Sequence, residues 1–141
     1  MSTGINVQLT DPQMEWLEQE AKQLNTSPAE VIAGRIEESR RESAFPYIDF
    51  RNTSAGREVY VRGTRLKIWH LRMYSDGDEA DAPRIAADFH LSAAAAADAL
   101  AYARTYADEI DAILAEIDHI AENIEEYAPG IDIFRVNASA S

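Results

Sequence analysis

The chain has 141 residues, 46% apolar and 27% charged, enough for one ordinary domain or two small ones sharing a core, which excludes a disordered tail as the main product. Acids outnumber bases by 25 to 13, a formal net charge of −12, so nucleic acid repels the chain wherever positive charge is not locally concentrated. Cysteine is absent, which excludes disulfides, thiolate metal sites and cysteine nucleophiles. No apolar run is long enough to cross a bilayer and residues 1 to 4 carry no signal-peptide pattern, so a cytoplasmic, soluble protein without membrane contact is expected.

The acid excess is uneven. Residues 1 to 34 carry −4 and residues 73 to 97 carry −4, whereas residues 35 to 72 hold nine basic residues against five acids, a net of +4. Residues 98 to 141 carry −8. Such a layout is either a basic middle facing an acidic C-terminal portion, which screens it or meets a basic partner, or a set of solvated helix faces.

Ile5, Val7 and Leu9 alternate with Asn6, Gln8 and Thr10, the period of a half-buried strand. Asp11 followed by Pro12 starts a helix, whose apolar stripe is Met14, Leu17, Ala21 and Leu24, widened by Trp16. Asn25 and Thr26 interrupt it, and Ser27-Pro28-Ala29-Glu30 is a capping box that opens a second helix to about Arg41, with Val31, Ile32 and Ile36 on its buried side. One strand and two helices in about 40 residues, with neither disulfide nor metal, need a partner to complete their core. The economical partner is a second copy, whose strand pairs with this one so that Ile5, Val7 and Leu9 cap a shared four-helix core.

On these features, residues 1 to 44 resemble a ribbon-helix-helix domain, the fold of the Arc, MetJ and CopG-type repressors and of many antitoxins. The resemblance implies that Asn6, Gln8 and Thr10 read base edges in the major groove. It also implies that Ser27 and the amides after it hold a DNA phosphate. Unlike many family strands, this one offers no Arg or Lys among its reading residues. The alternative is a ribbon-helix-helix used for dimerisation alone.

Beyond it, residues 44 to 50 read as a linker entering a short extended segment, and residues 58 to 61 are β-prone. Arg62-Gly63-Thr64-Arg65 is a turn before a helical stretch through Leu66, Trp69, Leu71 and Met73, and residues 75 to 82 form a polar, acidic loop. A short helix follows over residues 83 to 89, then a turn at His90 and Leu91, and then an Ala-rich helix capped by Ser92. The run Val59-Tyr60-Val61-Arg62-Gly63-Thr64-Arg65, with Asp88-Phe89-His90-Leu91-Ser92 and Ala99 to Ala103, resembles a family of small helical domains commonly described as VapB-type antitoxin components. The resemblance spans roughly residues 47 to 108 and implies an antitoxin or transcription-factor role beside a PIN-like ribonuclease toxin. Ser92 is followed by Ala93 to Ala97, which offer no base-reading group, so this helix-turn-helix is expected to make protein contacts. Arg62 and Arg65 are candidates either for phosphate or carboxylate contacts or for salt bridges to the acidic loop.

From Ile110 the pattern is heptad-like: Ile110, Ile117 and Ile124 recur every seven residues, as do Ile113, Ile120 and Tyr127. Ala103 and Tyr106 extend the register backward, so one helix from Ser92 to about Ala128 is expected, stopped by Pro129 and Gly130. That seam needs a cover from another copy, from the chain's own middle or from a toxin groove. Residues 131 to 136 read as a strand for a partner's sheet.

His70, His90 and His119 are scattered, the acidic loop lacks a Ca²⁺ ligand pattern, and no phosphate loop, serine elbow or paired-His helix is present. No metal, cofactor or catalysis is expected. The fold expected is mainly α: a ribbon-helix-helix (1–44; one strand, two helices, dimeric), a small helical helix-turn-helix-like module (45–108) and an acidic heptad helix with its tail (109–141). The function expected is an antitoxin-like, DNA-binding regulator that pairs with itself, with operator DNA and with a PIN-like ribonuclease toxin. A self-assembling scaffold without DNA binding is the alternative.

Overall fold

A computed structural model describes residues 2 to 123. Two helices open it, α1 (Asp11–Gln23) and α2 (Pro28–Ala44). The cap of α1 is Thr10 rather than Asp11: its hydroxyl accepts the Gln13 amide at 3.3 Å while the Gln13 side chain accepts the Thr10 amide at 2.8 Å, a reciprocal box that leaves Asp11 inside the first turn. Asn25 turns the chain with φ 53°, a left-handed conformation that Asn tolerates. Ser27 caps α2 as the sequence predicts, accepting from Glu30 N at 3.2 Å, but the Glu30 carboxylate goes to the Thr26 hydroxyl instead of closing the box. Between these helices only Leu17, Ala21 and Val31 are buried, with Leu24 beside them.

The expected strand over residues 5 to 9 is not formed in the single chain. Residues 2 to 10 lie outside any helix or strand, because a ladder needs a neighbouring strand and none of the described residues supplies one.

The middle, expected as a helical module with only a short extended entry and a β-prone stretch at residues 58 to 61, carries an antiparallel hairpin, β1 (Ile48–Thr53) and β2 (Gly56–Val61), with Ile48 opposite Val61 and Thr53 opposite Gly56. Its two-residue loop lacks the Asn-Gly type of signal. The turn rests on Gly56 at φ 106° and on the Thr53 hydroxyl, which donates to Gly56 O and accepts from Ala55 N. The Arg62 to Arg65 turn follows, with Gly63 at φ 75°. Thr64 braces it by donating to Val61 O at 2.8 Å and accepting from Leu66 N at 3.0 Å.

Three further helices and a short 3-10 turn follow: α3 (Ile68–Arg72), the turn Glu79–Asp81, α4 (Ala82–Asp88) and α5 (Ala93–Thr105). The helix-turn-helix of α4 and α5 matches the sequence expectation, with His90 at φ 55° in the turn and Ser92 accepting from Ala95 N at 3.1 Å. The last element is α6 (Ala107–Glu122). The expected continuous helix from Ser92 is therefore broken: Tyr106 leaves helical geometry at φ −112°, ψ 35°, where its ring is held against Arg41 and Tyr102. Ile124, Tyr127, the stop at Pro129 and Gly130 and the expected strand over 131 to 136 lie outside the described residues.

The main core gathers Ile48 and Val61 of the hairpin, Ile68 and Leu71 of α3, Ile85 of α4, Ile110 of α6 and the inner face of α5. Ala96 and Ala99 are fully buried there. The buried members of the alanine-rich stretch, Ala95, Ala96 and Ala99, thus serve close internal helix packing, while Ala93, Ala94 and Ala97 stay exposed.

Candidate nucleic-acid and partner interfaces

The predicted ribbon residues are all outside. Ile5, Val7 and Leu9 are 87%, 69% and 40% exposed. Beside them Met14, Trp16, Ile32 and Ile36 also stay open, so the apolar sides of α1 and α2 are only partly covered by their small shared cluster. Asn6 and Gln8 have no partner within the described chain, whereas Thr10 is occupied by its cap. Ser27 likewise spends its hydroxyl on the α2 cap, and the nearby Glu30 carboxylate places negative charge at the very helix start expected to take a phosphate.

Most of the basic middle is internally neutralised. Arg35 pairs with Glu20, Arg40 with Glu37, Arg41 with Glu37 and Glu109, Arg51 with Asp49, Arg57 with Glu38, Lys67 with Glu58 and Arg72 with Asp111. Arg62 forks onto two main-chain carbonyls, Pro46 O at 2.9 Å and Ile48 O at 2.8 Å, and so locks the turn to β1. It makes no hydrogen bond or ion pair to the acidic loop of residues 75 to 82. Arg65 is exposed and unbonded. Among the described residues, Lys22, Arg62 and Arg65 are the cations without a carboxylate partner.

Two of those pairs answer what covers the acidic helix. Arg41 reaches from the end of α2 to the α5–α6 break. It donates to both Glu109 oxygens at 2.8 Å and to the Tyr102 hydroxyl at 3.0 Å, and its guanidinium lies 3.8 Å from the Tyr106 ring centroid. Arg72 holds Asp111 in a second fork, at 2.9 and 3.2 Å. The N-terminal half of α6 therefore packs on the chain's own basic middle. Ile110 is buried there and Ile113 and Ile117 are half-buried, while Ile120 is 40% exposed. This junction escaped the sequence reading; its one visible trace was Glu37 three and four residues before Arg40 and Arg41.

These contacts set a pH dependence. Hydrogen bonds from Arg40, then Arg41, hold the Glu37 carboxyl down at about 2 against an ordinary 4.5. Glu109 is lowered chiefly by its bond to Arg41, and Asp111 by its bond to Arg72. A carboxylate with a lowered folded value stabilises fully above its unfolded value and loses that contribution as pH falls through the folded one. The docking of α2 and α3 on α6, which rests on Glu109 and Asp111, is expected to hold at pH 7 and to weaken as pH falls below the ordinary carboxylate range and those two groups protonate, followed by the near-ultraviolet dichroism of Tyr102 and Tyr106.

Farther along α6, Trp69, His70, Met73 and Tyr74 on one side and Leu114, Ile117 and Asp118 on the other line a groove of about 470 Å³. Met73 and Tyr74 remain 62% and 58% exposed. Burial, with the Lys67 charge, lowers the His70 pKa and keeps the ring neutral near pH 7. No group of three or more His, Asp or Glu placed to hold a metal ion occurs among the described residues. No described helix is long and apolar enough to cross a membrane. Comparison with protein families, with curated proteins and with solved structures finds no match to this chain.

Proposed function

We propose that the chain is an antitoxin-like regulator that acts by binding. Two copies pair through residues 1 to 44 into a ribbon-helix-helix, Asn6 and Gln8 read operator DNA, and the C-terminal part engages a protein partner, for which a PIN-like ribonuclease toxin is the candidate implied by the resemblance of residues 47 to 108. The observation that carries this is the open N-terminal face: Ile5, Val7 and Leu9 alternate with polar residues in an unpaired segment, ahead of helices that leave Met14, Trp16, Ile32 and Ile36 uncovered. A second copy covers such a face, and pairing the segments satisfies their amides.

The competing scaffold reading is favoured by the internal pairing of the basic residues and by Glu30 at the α2 start. If DNA is bound, specificity rests on base contacts and few phosphates are neutralised. With Lys22, Arg62 and Arg65 from each of two copies, the slope of log K against log salt is expected to be no steeper than about −5. Titrating the protein's own promoter region at low and moderate salt tests this. A specific complex that is lost on Gln8→Ala is expected. No complex at any salt, or one indifferent to Gln8→Ala, leaves the scaffold.

A further inference from the structure

We infer that the groove between α3 and α6 takes a polypeptide segment of a partner protein that presents apolar side chains along one face and Lys or Arg beside them. This rests on the partner-binding part of the proposed function and names its site and chemistry. Trp69, Met73, Leu114 and Ile117 give the groove an apolar lining, and Met73 and Tyr74 are open to solvent. Its volume, about 470 Å³, falls within the roughly 300–1,000 Å³ of sites that bury apolar anchors. It runs between two helices, the geometry that accepts a helix laid along it with anchors one turn apart.

The charge at its edge selects the occupant. Asp118 lines the groove and Glu122 stands one turn further along the same side of α6, and neither has a cationic partner among the described residues. On the opposite wall His70 is neutral near pH 7 and offers no compensating cation. A second copy offering this same face would bring an acidic edge with no unpaired cation of its own beside it, whereas a cationic segment complements the edge.

The test uses the full chain with Trp16→Phe, so that Trp69 is the remaining tryptophan, and two synthetic helical peptides with the same leucine stripe, one flanked by Lys and the other by Glu. Saturable change in Trp69 emission with the Lys peptide, at least about tenfold tighter than with the Glu peptide and abolished by Ile117→Asp, is the expected result. Because Ile117→Asp perturbs packing, the exposed Asp118→Lys variant supplies a second arm, and it should weaken the Lys peptide and strengthen the Glu peptide. Equal binding of both peptides, no binding, or binding only after removal of residues 124 to 141 overturns the inference, the last by assigning the groove to the chain's own tail. Co-purification with a co-expressed neighbouring protein that survives Ile117→Asp and Asp118→Lys would overturn the groove while leaving the partner-binding function standing; absence of any such complex counts against that function itself.

Discussion

Tyr102→Ala lowers the unfolding free energy by about 3–5 kcal/mol, measured by urea titration, because it removes the largest fully buried side chain from the centre of the molecule. The ring is 1% exposed, with Phe45 at 5.3 Å, Tyr106 at 4.7 Å and Phe50 at 6.4 Å between centroids. Those neighbours come from the end of α2, from the break before α6 and from β1, so one truncation loosens three elements at once. Tyr102→Phe keeps the ring and deletes only the hydroxyl that accepts from Arg41, and it should cost about 1 kcal/mol. A loss below about 1 kcal/mol for Tyr102→Ala would mean that α5 is not the organising helix.

Arg41→Ala costs about 2–4 kcal/mol, the second largest effect, since it breaks a charged fork to Glu109, a bond to Tyr102 and a stack on Tyr106 together. Its side chain is only 14% exposed, so solvent replaces these contacts poorly. Arg41→Lys should recover little, because an ammonium cannot fork onto both oxygens of Glu109 while lying flat on a ring. A double-mutant cycle with Glu109→Gln is expected to give a coupling of about 1 kcal/mol or more, and additivity within about 0.3 kcal/mol would show the fork to be inert.

What was legible in the sequence followed local rules. The Ser27 and Ser92 caps, the turn at His90 and the helix pair on either side of it depend on neighbours a few residues away, and each is where the pattern placed it. The hairpin was half-read, as β-prone residues 58 to 61 without their partner, because Ser54-Ala55-Gly56 carries no strong turn signal. The heptad spacing described α6 correctly as an apolar stripe yet hid the break at Tyr106, which is fixed by Arg41 from 65 positions earlier. The same long-range pairing overturned the simplest view of the charge. Seven of the nine cations in the +4 stretch are held in internal ion pairs, with Arg41 and Arg72 drawing Glu109 and Asp111 onto it, and Arg62 and Arg65 stand outside them. Among the candidate DNA-reading residues, Asn6 and Gln8 stand clear, Thr10 and Ser27 act as helix caps, and Arg62 clamps β1.

The pairing of the N-terminal segment with its copy is tested most directly by amide hydrogen exchange over residues 5 to 10, read at several protein concentrations. A ribbon protects alternate amides along this segment, with protection that rises with concentration and disappears on Val7→Asp. Exchange at the rate of an unstructured peptide at every concentration would contradict the ribbon and, with it, the dimeric DNA-reading face.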